Sequence, residues 1–260
     1  MTGRFLAAVQ FLTVLPVRRD TGRAGRGAVF YPLVGGLLGA SAGAVLMLSE
    51  VGLRRPLSAL LALGWLLVVT GCLHEDGLAD VADAVRAGRT REKMMAILKD
   101  SRIGTYGAVA LILSVAVRWQ AMAEMAQPMP QLMAQPMAQL MAQPVAGLAA
   151  AVSLSRMSLV ALAGIAPAVG SGMGQAFALD CSRKVVSLVV VQAVAMAGAA
   201  VWFTGWRPAL AMIAATALVV LLARAYFVRR LGGVNGDCLG ATCQVVEMVN
   251  LVILAWRFST

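Results

Sequence analysis

An all-α fold, a polytopic bundle of about seven transmembrane helices with shorter cytoplasmic helices attached, is what this sequence predicts. The first observation is composition. Of 260 residues, 60% are hydrophobic and 13% charged, and the mean hydropathy is +0.81, far too apolar for a soluble domain. The second is the length of the uncharged runs. Those at 28–49, 56–73, 185–206 and 208–223 approach or reach the roughly 20 helical residues that cross a hydrocarbon core. A shorter run at 103–117 extends past Arg118, whose long stem can snorkel, and runs at 145–170 and 238–256 contain Arg156 and Glu247. The third is charge asymmetry. Arg4, Arg18, Arg19, Arg23, Arg26, the 74–103 loop, Arg183, Lys184, Arg224, Arg229 and Arg230 fall on one side, against Arg54, Arg55, Arg118, Arg207 and Arg257 on the other. By the positive-inside rule the first side, with the N-terminus, is cytoplasmic, and the protein belongs in the cytoplasmic (inner) membrane. Topology thereby accounts for most of the formal charge of +10, and no nucleic acid partner is expected.

The chain reads as one membrane domain over 1–260. A basic arm at 1–27 contains FLAAVQFLTVLPV at 5–17, about half a membrane thick and followed by arginines rather than a cleavage site. This fits an interfacial or re-entrant segment and not a signal peptide. Gly35, Gly36, Gly39 and Gly43 then recur at three- and four-residue spacing, which predicts a seam of close helix contact. Arg54, Arg55 and Pro56 make an external turn, and the second span delivers the chain to His74. A repeat of period eight, MAQPMPQL, MAQPMAQL and MAQPV, fills 125–145. Pro128, Pro130, Pro136 and Pro144 argue against a regular helix there, and a tandem expansion in an external loop is expected rather than a methionine-rich copper site. The cysteines at 72, 181, 238 and 243 have no zinc-type spacing and are expected to be reduced, structural thiols.

Chemistry concentrates between His74 and Gly107. Six of the twelve acidic residues lie between Glu75 and Asp100, which marks 74–103 as a cytoplasmic acidic segment with a catalytic role. On a helix over 75–87, Asp76, Asp80 and Asp83 stand at i, i+4 and i+7 and share one face. Carboxylates that close repel unless a cation lies between them. An oxygen-only set suits Mg²⁺, which is usually held by a few carboxylates together with substrate phosphates. Asp100 from across the loop, Asp237 in GGVNGDCLG at 232–240, and Glu247 in the last span are further candidate ligands. His74, the single histidine, is a candidate general base beside this face or an interfacial residue with a local hydrogen bond. Residues 86–99 interleave basic side chains with MMAIL, an amphipathic pattern for the membrane surface. Lys99, Ser101, Arg102 and Gly104 lead into a helix start where free backbone N–H groups and cations converge, a cradle for substrate phosphates. Arg156 lies about a dozen residues inside its run, where a charge must meet an acid such as Glu247 or a substrate phosphate.

HEDGLADVADA at 74–84, KDSRIGTYG at 99–107, the Ser155-Arg156 pair and NGDCLGA at 235–241, with FLTVLPV at 11–17 and YPLVGG at 31–36, closely resemble the cobalamin synthase family, the adenosylcobinamide-GDP ribazoletransferases. The resemblance covers nearly the whole chain except the 125–145 repeat. It implies a Mg²⁺-dependent membrane phosphotransferase that completes the nucleotide loop of vitamin B12. Such an enzyme joins adenosylcobinamide-GDP to α-ribazole, or its 5′-phosphate, and releases GMP. Three positions depart from the family pattern: Glu75 replaces a frequently apolar residue, Ala84 a frequent glycine, and Gln244 a frequently acidic residue.

On this reading Asp76, Asp80 and Asp83 hold the metal, while Lys99 and Arg102 stabilise the GDP phosphates and the departing GMP. The ribose 3′-hydroxyl of α-ribazole attacks the phosphorus on the cobinamide arm, and a metal-free carboxylate or His74 accepts its proton. Other cobalamin-biosynthesis enzymes and a second copy of the chain are compatible partners beside the lipid bilayer. Asp80-x-x-Asp83 is also similar to the CDP-alcohol phosphotransferases, whose later glycine and two further aspartates are missing here. A CDP-alcohol-type lipid phosphotransferase is therefore the enzymatic alternative. An ion-coupled transporter with Arg156 and Glu247 as midplane charges is the other, although related halves are absent and the acids cluster at the cytoplasmic edge.

Overall fold

The computed structural model describes residues 1–17, 24–125, 137–170 and 173–256, and every regular element among them is a helix. Arg18, Arg19, Arg23 and Arg257 of the charge argument, and 126–136 of the repeat, lie outside the described residues. Helix α1 (Thr2–Leu12) is too short to span. It buries Ala7, Ala8 and Leu12, and Phe11 stacks 5.7 Å from Tyr31 and 6.1 Å from Phe177. A 3₁₀ turn, Ala24–Phe30, leads into α2 (Tyr31–Glu50), and a short turn joins it to α3 (Arg55–Thr70). Both helices carry a proline in the first turn, Pro32 and Pro56, where a missing N–H leaves no bond unmade.

The second apolar run ends abruptly. Gly71 (φ +60°) and Cys72 (φ +55°) both adopt left-handed backbone, and together they turn the chain by 89° into α4 (Leu73–Ala87). Glycine carries no Cβ penalty in that region, whereas a residue with a side chain is uncommon there. The sharp turn lays the acidic helix across the end of the bundle instead of continuing the span. Thr90 then caps α5 (Arg91–Ile97) by accepting the Lys93 N–H. The remaining helices are α6 (Thr105–Glu124), α7 (Met137–Ile165), α8 (Met173–Asp180), α9 (Arg183–Thr204), α10 (Trp206–Leu231) and α11 (Gly236–Ala255). Ser182 and Asn235 cap α9 and α11 with their side-chain oxygens.

Among the described residues six helices are long and apolar enough to cross a membrane: α2, α6, α7, α9, α10 and α11. A seventh is reached if α3 and α4 are taken as one bent span. The protein is a multi-pass helical membrane protein. Helix α7 is its centre, buried at every residue from Ala150 to Ala163. Gly35, Gly39 and Gly43 of α2 lie directly on the α7 backbone at Val152, Leu148 and Val145, so the small-residue seam forms as expected. The expectation for Pro144 needs correction: it lies inside α7, not in an irregular loop. A membrane helix tolerates an internal proline when neighbouring helices pack on the freed backbone, and Gly43 packs at Pro144 and Val145.

The α3–α4 turn and the α7–α8 and α10–α11 connections gather at one end of the bundle. Ala168 and Val234 form a single parallel β-bridge between the latter two. Arg230 of α10 donates to the Gly88 carbonyl beyond α4 at 3.1 Å. A β-carbon at Gly39 would overlap the Leu148 carbonyl, so Gly39→Val is expected to force α2 off α7. Its cost should be about 2–4 kcal/mol, read as a lowered midpoint of thermal unfolding in detergent.

Candidate active site

Helix α4 presents different chemistry on its two sides. One side borders an apolar cleft of about 390 Å³ lined by Leu78, Val81, Val85, Phe227 and Val245, with no carboxylate. The other borders a pocket of about 460 Å³ between the α3 end, α4, the 101–103 loop and α6. Glu75, Asp76, Asp80 and Ser101 give this pocket a polar wall, and Leu67, Leu73, Ile103, Leu111 and Val115 give it an apolar one. The helical spacing of Asp76 and Asp80 thus puts both carboxylates into one cavity. Burial, then the negative charges of Asp76, Asp237 and Asp83, push the Asp80 carboxyl up to about 6. Asp237 comes close because α11 starts against Gly77, whose missing side chain leaves room for the Asp237 backbone. Asn235 orients it, donating from Nδ2 to Oδ2 at 2.8 Å.

The other predicted residues are placed differently. Asp83 accepts the Gly104 N–H at 2.7 Å and the Gly107 N–H at 3.0 Å, one on each oxygen. A β-carbon on either glycine would overlap that carboxylate. The N–H groups expected to cradle phosphate at Gly104 are therefore given to Asp83, which caps α6 and fixes the 101–103 loop over the pocket. Arg102 closes on Asp100, donating Nε to Oδ1 at 3.0 Å and Nη2 to Oδ2 at 2.7 Å; these bonds hold the Asp100 carboxyl down at about 2. That pair is local to the loop. Lys99 and Ser101 are exposed, and Ser101 alone of the two lines the pocket.

Arg156 and Glu247, candidates for phosphate and metal or else for each other, form the pair, bonded inside the bundle. Arg118 joins them. Its Nη1 donates to Glu75 Oε1 at 2.9 Å and to Glu247 Oε1 at 3.1 Å. Arg118, Arg156 and Glu247 are 1%, 2% and 1% exposed in their side chains, so Arg118 does not snorkel. Two cations and two anions from α4, α6, α7 and α11 balance. His74 lies beside this group rather than in the pocket. Burial first, and the positive charge of Arg156 next, drive its imidazole down to about 3, so it is a neutral side chain outside the residues that line the pocket.

Sequence reading missed Arg118 as a partner and assigned Glu75 only as a departure from a pattern. The usable signal was the count of unpaired charges within apolar runs: Arg118, Arg156 and Glu247 leave one acid missing, and Glu75 supplies it. The apolar wall gave no signal, because Leu111 and Val115 look like any lipid-facing residues of a span.

Two outcomes follow from these charges. Arg118→Met strands Glu75 and leaves Glu247 with Arg156 alone; it should cost about 3–5 kcal/mol, measured as unfolding in detergent, while the exposed Arg102→Met should leave that midpoint unchanged. In chelator, folded protein holds a proton on Asp80 up to about pH 6, whereas the unfolded chain releases it near its ordinary value of 3.8. The folded state binds more protons across that window, so this contribution to stability is full below it and lost as pH rises through it. The difference in melting temperature between the wild type and Asp80→Asn should therefore change from pH 4 to pH 6.5 and level off above.

The family model described as cobalamin-5-phosphate synthase matches residues 4–255. An adenosylcobinamide-GDP ribazoletransferase of Rhizobium johnstonii is 36% identical over 257 residues, covering 95% of this chain and 94% of its own. One from Rhizobium etli is 38% identical over 259 residues, covering 95% of this chain and 94% of its own. One from Escherichia coli is 34% identical over 263 residues, covering 98% and 100%. No solved structure matches this chain. With a pocket of carboxylates at one end of a membrane bundle and a match to these transferases over nearly the whole length, the chain belongs to the cobalamin-5-phosphate synthase family.

Proposed function

We propose that the protein transfers the cobinamide-phosphate group of adenosylcobinamide-GDP to α-ribazole or its 5′-phosphate, with release of GMP, and that the reaction needs Mg²⁺. The observation that carries this reading is the placement of Asp76 and Asp80 with Ser101 in one cavity of a chain of this family. Among the described residues no three acidic, thiol or imidazole side chains converge as a complete metal cage. Mg²⁺ rarely uses one; it keeps waters and takes one or two carboxylates plus substrate phosphates. Asp76 and Asp80, with Asp237 beside them, suit that habit, and the mutual repulsion that raises the Asp80 carboxyl is what a cation relieves. When bound, the ion neutralises charge on the phosphoryl oxygens.

The chain's own groups supply the rest. Ser101 lines the pocket for the pyrophosphate, Lys99 stands exposed two residues before it, and Arg102 can exchange its local carboxylate for a phosphate. The ribose 3′-oxygen forms a bond to the phosphorus that bears the cobinamide arm. The bond from that phosphorus to the bridging oxygen breaks, and GMP leaves with that oxygen. The hydroxyl proton passes to a carboxylate of Asp76, Asp80 or Asp237 that is not engaged with the cation. Positive-inside asymmetry supports a cytoplasmic orientation of this end, where a soluble nucleotide substrate would reach it. The ion-coupled transporter draws no support, because its two midplane charges neutralise each other.

The test is GMP release by purified protein in liposomes, given adenosylcobinamide-GDP and α-ribazole, with Mg²⁺ and with chelator. Metal-dependent GMP with an equal amount of corrinoid product is expected. Asp80→Ala should lower kcat by roughly 100-fold or more while the protein still inserts and melts cooperatively. Near-normal turnover in that variant would overturn the site, and no GMP from folded wild type would overturn the function.

A further inference from the structure

We infer that the pocket beside Asp76 and Asp80 is the seat of the acceptor nucleoside, its aromatic base lying on the apolar wall, and that the corrinoid and guanosine of the donor stay outside it. The inference rests on the function proposed above and assigns which substrate goes where.

Size is the first argument. About 460 Å³ is toward the small end of ligand clefts, which run from roughly 300 to 1,000 Å³. That is room for a bicyclic base with its sugar. A corrin macrocycle with its amide arms and adenosyl group cannot enter.

Chemistry separates the two bases that remain. Leu67, Leu73, Ile103, Leu111 and Val115 offer methyl groups and no hydrogen-bonding side chain. Guanine in that setting would bury a carbonyl, ring N–H and amino group without partners, at a cost of about 1–3 kcal/mol for each. The methylated benzimidazole of α-ribazole has no N–H on its rings, and its methyl edge gains from the same surface.

The polar wall then fits the sugar. Glu75 lines this pocket, is 6% exposed, and uses Oε1 on Arg118 while Oε2 has no partner. A buried free carboxylate oxygen calls for a donor. Ribose hydroxyls are donors, and because guanine is excluded from this apolar wall the hydroxyls that reach here are those of the acceptor nucleoside, while a diphosphate offers only acceptors and negative charge. With the base on Leu111 and Val115 and a hydroxyl on Glu75, the sugar sits against Asp76 and Asp80, where its 3′-oxygen must lose a proton. A benzimidazole nucleoside therefore enters first into the membrane-side depth of the site, and the donor closes over it from the loop side.

A footprint on the unaltered protein tests this. Cys72 lines the pocket and is the one exposed thiol; Cys181, Cys238 and Cys243 are buried. α-Ribazole alone should slow maleimide modification of Cys72 severalfold, and GDP alone should not. Protection by GDP and not by α-ribazole would overturn the assignment. Kinetics give the second readout. Leu111→Trp, or Val115→Phe, narrows the apolar wall and should raise the KM for α-ribazole about tenfold or more, with the KM for adenosylcobinamide-GDP changed less than about twofold. The penalty should shrink for benzimidazole riboside, which lacks the two methyl groups. A rise confined to adenosylcobinamide-GDP, or no change in either, would overturn it. If wild-type protein made no GMP at all, the function would fail instead, and Cys72 protection by α-ribazole would still report on the pocket.

Discussion

Charge cannot be left unpaired inside a bundle that lipid surrounds, and this protein meets that constraint with four side chains from four helices. Glu75, Arg118, Glu247 and Arg156 form a neutral chain of ion pairs. Each contributes an ion that would be costly alone, and the three pairs link α4 to α6, α6 to α11 and α11 to α7 in series. Glu75 stands next to Asp76 in sequence. The interaction that satisfies the interior therefore also sets the rotation of the helix that carries the chemistry.

From that anchor the site is assembled by contacts of very short reach. Asp83 holds the start of α6, Gly77 lets α11 touch α4, and Arg230 ties the far end of α4 to α10. None of these groups needs to meet substrate. Together they leave Asp76 and Asp80 as the carboxylates of α4 that are both unbonded and open to a cavity, which is the state a cation-binding pair requires. Their repulsion is tolerated because the surrounding bonds leave them nowhere else to turn.

What the sequence made legible follows from physics that acts locally. Apolar length reports a span because the membrane fixes the thickness, and six of the seven apolar runs came out as spanning helices, with 56–73 reaching that length only when α3 is joined to the bent α4. The 3.6-residue period placed Asp76 and Asp80 together. Distance in sequence hid the remainder. Asp83 meets partners 21 and 24 residues away, and Arg118 meets Glu247 across 129, so a carboxylate that caps a helix and one that faces a pocket look alike in the sequence. Pro144 misled for a related reason: its propensity argument holds in water, while within α7 the packing of Gly43 decides.

The two-residue turn at Gly71 and Cys72 also bears on how this chain can change over generations. One added residue there would rotate α4 by about 100° and swing its acids from the pocket toward the apolar cleft behind. The connection at that end has no slack, so its length fixes which side of α4 the acids occupy. The octet repeat of 125–145 shows the other case: its last part, from Met137, is the first turns of α7 and carries no ionised side chain. Length therefore matters most where the chain turns from a span into the helix that carries the acids.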